Sequence, residues 1–365
     1  MSSGKVSVND NIVTFTPDGK DGALTLTFVL NASQLKGEDA VVFERAYYND
    51  REVIIHENIE DEQQTVHFPG GRTLACDPDT NDRTMKAGGE VIIKDSVCYE
   101  NLIPGCEYVI RGKVMLRAQG SDKNKDLGAV MIDPNGKETE EWIFTPQERN
   151  GKEEVYFAVN SDGLAGRSAV VFEEMEFINP DLGTRSTVFV HEDPRDEDQT
   201  VHFPDGKTTA LDSETKSHVS AADKDVTILD EVRYINLIPG KKYTVTGILM
   251  DQKTGSPVSA GGKVLTSTEE FVPETADGSV TVKFRFDGSS LAGRTMVAFE
   301  TVESEGKEVF THADLNDAAQ TVKLEGPSGS RTGDNANPVF WLLVLAAAVA
   351  GIMILRIIRK RSDSL

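Results

Sequence analysis

Cysteine is scarce in this 365-residue chain, with only Cys76, Cys98 and Cys106. An odd number confined to one stretch cannot be a disulfide framework shared along the chain. Two readings stand for the last two: a Cys98–Cys106 pair across the turn they flank, or incidental thiols. Positive charge is also short, 38 Lys+Arg against 60 Asp+Glu, for a net charge of −22. Such a surface repels phosphate backbones, so nucleic acid is excluded as a partner class. No metal-ligand cluster, nucleophile elbow or phosphate loop is present, and no cofactor is expected. The glycine-rich "GPSGSRTG" has no strand and helix around it. The start, "MSSGKVSVNDNIVTF", has no apolar signal region.

The chain does have one long apolar run, "VFWLLVLAAAVAGIMIL", from Val339 to Leu355. Seventeen residues is the short end of a membrane-spanning helix. Arg356, Arg359, Lys360 and Arg361 follow it, and a basic tail stays on the cytoplasmic side. The expectation is a transmembrane segment within 339–365, buried in the membrane over 339–358, with everything before it outside the cell. A buried core helix would not carry four cations directly behind it. An outside location without a secretion signal implies the C-terminal piece of a longer surface protein.

What is abundant is repetition. His, seven residues, then Gln-Thr occurs three times, from His56 to Gln64, His191 to Gln199 and His312 to Gln320. Each follows an apolar stretch ending in Phe-Glu, at Glu44, Glu173 and Glu300. A period near 128 residues is too long for a solenoid and is the length of a whole domain. The two later repeats also align at their beginnings, "GGRTLACD" (70–77) with "DGKTTALD" (205–212). Further on, "DSVCYENLIPGCEYVIRGKVM" (95–115) matches "DEVRYINLIPGKKYTVTGILM" (230–250). Apolar and polar residues alternate on both sides of Pro239-Gly240, which predicts strand, tight turn, strand. No helical period stands out before the membrane segment. The predicted fold is all-β, a tandem of Ig-like β-sandwich domains with a C-terminal transmembrane helix. The boundaries expected are 1–69 for the C-terminal half of a domain, then complete domains at 70–204 and 205–324. A flexible Gly/Ser/Asn-rich linker at 325–338 and the membrane segment with its tail follow.

These matched positions resemble the Thr-Gln ester-bond domains (VaFE repeats) of Gram-positive surface adhesins. In that family a Thr hydroxyl of the first strand attacks the side-chain amide of a Gln at the last, and ammonia leaves. The resemblance implies Thr73 with Gln199, helped by Asp95, Glu173 and His191, and Thr208 with Gln320, helped by Asp230, Glu300 and His312. Thr208 is preferred to Thr209 because its counterpart Thr73 is followed by Leu74. The first repeat keeps Glu44, His56 and Gln64 but has no Thr strand and no matching Asp. His67, His202 and His218 fall outside the pattern and are read as ordinary structural histidines.

The residue types fit such chemistry on their own terms. A hydroxyl needs a base to become a nucleophile, and His can take its proton and pass it to a leaving amine. The developing oxyanion needs a donor. Two buried carboxyls cannot both ionise, so one of an Asp/Glu pair keeps its proton and can donate.

The end resembles a cell-wall sorting signal, Thr332-Gly333, an apolar span and a basic tail, without the usual Leu-Pro. Sortase and peptidoglycan are therefore the expected partners. The function expected is a structural stalk of a surface adhesin or pilin-like protein whose domains cross-link themselves once, with no turnover enzymology. Alternatives are ligand-binding adhesin modules for host protein or glycan, Lys-Asn isopeptide domains, and, weakest, a hydrolase with an open site.

Overall fold

A computed structural model describes residues 7–9 and 12–326. The membrane segment, its basic tail and Thr332-Gly333, all predicted from sequence, lie outside the described residues. No helix among the described residues is long and apolar enough to cross a membrane. The described chain is all-β, with one short 3-10 turn at Ala318–Gln320. Intramolecular contacts divide it into two compact units. One holds residues up to Pro204 together with Asn236–Ile238, and the other holds Asp205–Ile235 and the residues from Pro239 onward.

Within the first unit, the middle repeat builds two facing sheets. One is five-stranded and begins with the Thr strand, Gly70–Cys76, paired antiparallel to the Asp strand, Glu90–Glu100. The other is six-stranded and contains the Glu strand, Arg167–Ile178, and the His strand, Arg185–His191. The closing strand, Thr200–Phe203, pairs with the start of the Glu strand. Gln199 is thus delivered at the mouth of the last strand. The inner faces carry Ile93, Val97, Phe157, Val171 and Val201, all fully buried. Burying a side chain of this size contributes about 1.5–3 kcal/mol.

The second unit repeats the plan. Its Thr strand (Asp205–Asp212) and Asp strand (Val226–Ile235) form a three-stranded sheet with Gly278–Phe286. Its Glu strand (Thr295–Ser304), His strand (Lys307–His312) and closing strand (Thr321–Glu325) lie in the opposing six-stranded sheet. Alternation is regular in Tyr243–Asp251, where every second residue is buried. That pattern is what the sequence showed as period two. Pro239-Gly240 makes the expected turn, with Gly240 at φ 78° in the left-handed region that glycine enters freely.

The six residues by which the middle repeat exceeds the third between Glu and His lengthen one hairpin, whose tip is closed by Asn179 N–H to Thr184 O at 2.9 Å. All three cysteines are free thiols, so the Cys98–Cys106 pairing does not form. Cys76 is buried on the Thr strand, where burial pushes its thiol up from its ordinary range.

The two sheets approach closely at one glycine of each Thr strand. A Cβ on Gly71 would stand 2.6 Å from the Phe189 ring of the His strand, and one on Gly206 would overlap the Phe310 ring in the same way. Gly206→Ala is therefore expected to lower the stability of the third repeat by about 1–3 kcal/mol in denaturant melts, with partial recovery in Gly206→Ala/Phe310→Leu.

Candidate functional site

Four buried polar side chains of each complete repeat collect at one place between the sheets. Thr73, Asp95, Glu173 and Gln199 are buried there in the middle repeat, and Thr208, Asp230, Glu300 and Gln320 in the third. Strand geometry accounts for the first pair. Thr73 and Ala75 share a face of the Thr strand, and Ala75 stands opposite Asp95, so hydroxyl and carboxyl converge. Ala210 opposite Asp230 repeats this beside Thr208. Thr208 is buried and Thr209 is not, as a period of two requires.

Glu and His are direct cross-strand partners in all three repeats, Glu44–His56, Glu173–His191 and Glu300–His312. In each hairpin the register then slips two residues beyond the Glu, after Ala46, Met175 and Val302. The Glu-to-His interval, 12 residues in the first and third repeats and 18 in the middle one, is thus the length of one bulged hairpin.

A further acid went unrecognised in the sequence. Asp61, Asp196 and Asp317, each five residues after the His, accept from its Nε2 at 2.7, 2.8 and 2.9 Å. The second carboxylate oxygen of each accepts the backbone N–H two residues on, at 2.9, 2.8 and 2.7 Å. The Thr of each Gln-Thr pair donates its hydroxyl to the same Asp's carbonyl, at 2.8, 2.6 and 2.7 Å. One Asp therefore ties the imidazole to the turn that presents the Gln. The signal was on the page, because this Asp keeps its place between His and Gln in all three copies.

In the middle repeat Thr73 Oγ1 lies 3.0 Å from His191 Nδ1 and 3.3 Å from Glu173 Oε2. The Asp196 contact holds the proton on Nε2, leaving Nδ1 as an acceptor aimed at the hydroxyl. Gln199 Nε2 donates to Asp95 Oδ1 at 3.3 Å. In the third repeat the contacts differ. Gln320 Nε2 reaches both Thr208 Oγ1 and Glu300 Oε2, and His312 Nδ1 is 3.4 Å from Gly206 O.

The carboxyls are far from ordinary. Burial, and then the neighbouring Asp95, raise Glu173 well above the usual range, and burial also raises Asp95. Burial and the Asp230 contact push Glu300 up to about 10, and burial lifts Asp230. Each Asp and Glu share one buried cluster, and two neighbouring carboxyls out of water cannot both ionise. The more strongly raised Glu keeps its proton. The amide oxygens of Gln199 and Gln320 are buried without a hydrogen-bond partner, so each site holds an unsatisfied acceptor beside a proton donor.

A family profile described as "T-Q ester bond containing domain" matches residues 3–68, 69–203 and 205–324. The chain belongs to this family. Its three T-Q domains have solved structures among their likenesses. One is an adhesin from Mobiluncus mulieris described as containing intramolecular disulfide, isopeptide and ester bond cross-links, 18% identical over 34% of this chain, with a TM-score of 0.29. The chain spans 57% of that structure's length. A second structure of that adhesin is 14% identical over 64% of this chain and 80% of its own, with a TM-score of 0.28. The C-terminal domain of the Streptococcus agalactiae AgI/II polypeptide BspA is 10% identical over 66% of this chain and 97% of its own, at 0.29. No curated protein sequence matches the chain.

Of the remaining sequence candidates, Glu44, His56 and Gln64 come together in the first T-Q domain, with Asp61 on the imidazole as in the other two. His67 pairs with Asp39 at 2.6 Å, and the largely buried His202 faces the Ser168 hydroxyl at 3.2 Å, both away from the sites. No group of three or more metal-ligating side chains exists among the described residues.

The raised Glu300 makes stability depend on pH. In a third domain without its hydroxyl (Thr208→Ala), the unfolded chain releases the Glu300 proton near its ordinary 4.5, while the folded chain keeps it to about 10. Between these values the folded state binds more protons, so stability is greatest at low pH and falls as pH rises. Denaturant melts of T208A from about pH 5 to about pH 9 are expected to show this decline, and a flatter one in T208A/E300Q.

Proposed function

We propose that the second and third T-Q domains each join their own Thr and Gln through an ester, once, and that the chain is thereby a covalently braced stalk. The supporting observation is the convergence of a buried hydroxyl, a buried amide and two buried carboxyls beside an imidazole, in two copies. Thr73 Oγ attacks the Gln199 side-chain carbonyl carbon while His191 Nδ1 takes its proton. The protonated Glu beside it donates to the amide oxygen as negative charge develops there. The imidazolium returns the proton to the amide nitrogen, the C–N bond breaks and ammonia leaves. Thr-OH and Gln-CONH2 thus become one ester and one NH3. Asp196 holds the imidazole's tautomer and orientation in the manner of a triad's third member.

Burial of Thr73 and Gln199 supports self-modification over turnover, because no route for an outside substrate is built and water that would hydrolyse the ester is excluded. Thr208 and Gln320 are 112 residues apart. Closing a loop of this order restrains the unfolded chain by ~4–5 kcal/mol. A bond from first strand to last also routes tension around the sheets. Extracellular placement, retention through 339–358, and sortase cleavage at Thr332-Gly333 with transfer to peptidoglycan complete the reading as proposals from sequence.

Intact mass of the full chain tests the chemistry. A deficit of two ammonias is expected, of one in Thr208→Ala, and of none when Thr73→Ala is added. An unshifted mass of folded protein would remove the ester. Asp196→Ala should leave the second domain folded but slow its ester formation by about 10²–10⁴-fold, read as the rate at which the deficit appears in freshly folded protein.

A further inference from the structure

Opposite the buried Glu of each complete domain stands a glycine. Gly112, on the strand Tyr108–Leu116, is the cross-strand partner of Glu173, and Gly247, on Tyr243–Asp251, is that of Glu300. Direct partners in an antiparallel pair point to the same face, with Cβ atoms about 4.5–5.5 Å apart. A side chain on either glycine would therefore lie beside the Glu side chain, on the inner face.

An aromatic ring fills that place in both domains. A Cβ on Gly112 would overlap Phe157 Cζ, and one on Gly247 would stand 2.6 Å from Phe284 Cζ. Phe157 belongs to Gly151–Asn160 and Phe284 to Gly278–Phe286, both in the sheet that carries the Asp, so each ring crosses to the opposite sheet. The residue two before each Phe, Val155 or Val282, is the partner of Asp95 or Asp230. Each ring thus stands against the Glu of one sheet and next in register to the Asp of the other. Both rings are buried, and no residue larger than glycine opposite the Glu would admit them.

The other groups around Glu173 are Asp95, Thr73, His191 and Gln199, with Asp196 behind the imidazole. Around Glu300 they are Asp230, Thr208, His312 and Gln320, with Asp317 behind the imidazole. The strand of Gly112 turns its two neighbouring cations elsewhere, Arg111 to Glu141 and Glu176 and Lys113 over the Phe172 ring. Gly247 is flanked by the uncharged Thr246 and Ile248.

We propose that Phe157 and Phe284 are positioning residues for the ester reaction: each ring, admitted by the glycine opposite the Glu, keeps water off that carboxyl and so keeps its proton available to the Gln amide oxygen. This rests on the ester reading of the two domains. Truncating the ring lets water solvate the carboxylate, and the Glu then ionises at lower pH.

The test follows the ammonia deficit in freshly folded full chain from about pH 6 to about pH 11, with tryptic peptides assigning each ester to its domain. Reaction needs a neutral His and a protonated Glu, so the rate falls on the alkaline side where the Glu proton is lost. In Phe157→Leu the alkaline fall for the second domain is expected about one pH unit lower, with the third domain unmoved, and Phe284→Leu reverses the pattern. A second measurement needs no ester. In Thr208→Ala the decline of stability with pH ends where folded Glu300 loses its proton, and adding Phe284→Leu should bring that end to lower pH. An alkaline fall that stays at the wild-type pH in either variant, or a rate lowered equally at every pH, makes the rings packing alone and overturns the proposal. A wild-type chain without any deficit overturns the ester reading instead, and the T208A melts then decide by themselves whether the ring holds the Glu300 proton.

Discussion

Two carboxyls facing each other in a dry interior can hold at most one negative charge between them. Asp95 with Glu173, and Asp230 with Glu300, are placed under that constraint. The proton they retain lets an acid pair, unfavourable to bury, share a dry cluster with a Gln amide whose oxygen has no hydrogen-bond partner. In the proposed reaction, the cost of forcing two acids out of water becomes polarisation of the amide. The wall of Val, Ile and Phe side chains does more than stabilise the sandwich, since letting water in would ionise both acids and expose the proposed ester to hydrolysis.

The second organising element is small and local. A single Asp accepts the imidazole N–H with one oxygen and a turn amide with the other, while its carbonyl accepts the following Thr hydroxyl. This links the orientation of the base to the position of the electrophile through three short bonds. It also accounts for the Thr after every Gln, which has no part in bond making and is still present in each copy. Because the device is built from residues within nine positions of one another, the first domain carries it as well.

Much of this was legible in the chain. Alternation such as that of Tyr243–Asp251 announced strands, and Pro239-Gly240 announced their turn, because both depend on local geometry alone. The Glu-to-His interval was visible as a number and became a bulged hairpin once register was known. Asp196 and Asp317 were passed over because they sit among other acids, where one carboxylate looks like the next until hydrogen bonds single it out. The packing of Gly71 on Phe189 could not be read at all, since it joins residues 118 apart across two sheets. The difference between the two sites, hydroxyl toward imidazole in one and toward amide in the other, likewise joins residues far apart in the chain.

The 112-residue separation of Thr208 and Gln320 has one more consequence. With the proposed ester closed, the polypeptide is no longer a simple thread but a lariat with a wide noose. Machinery that reels substrates through a narrow pore, one strand wide, would meet a doubled filament at that knot and stall. Such a chain would keep a chemical record of having once reached its native shape, legible after unfolding for as long as water leaves the tie intact.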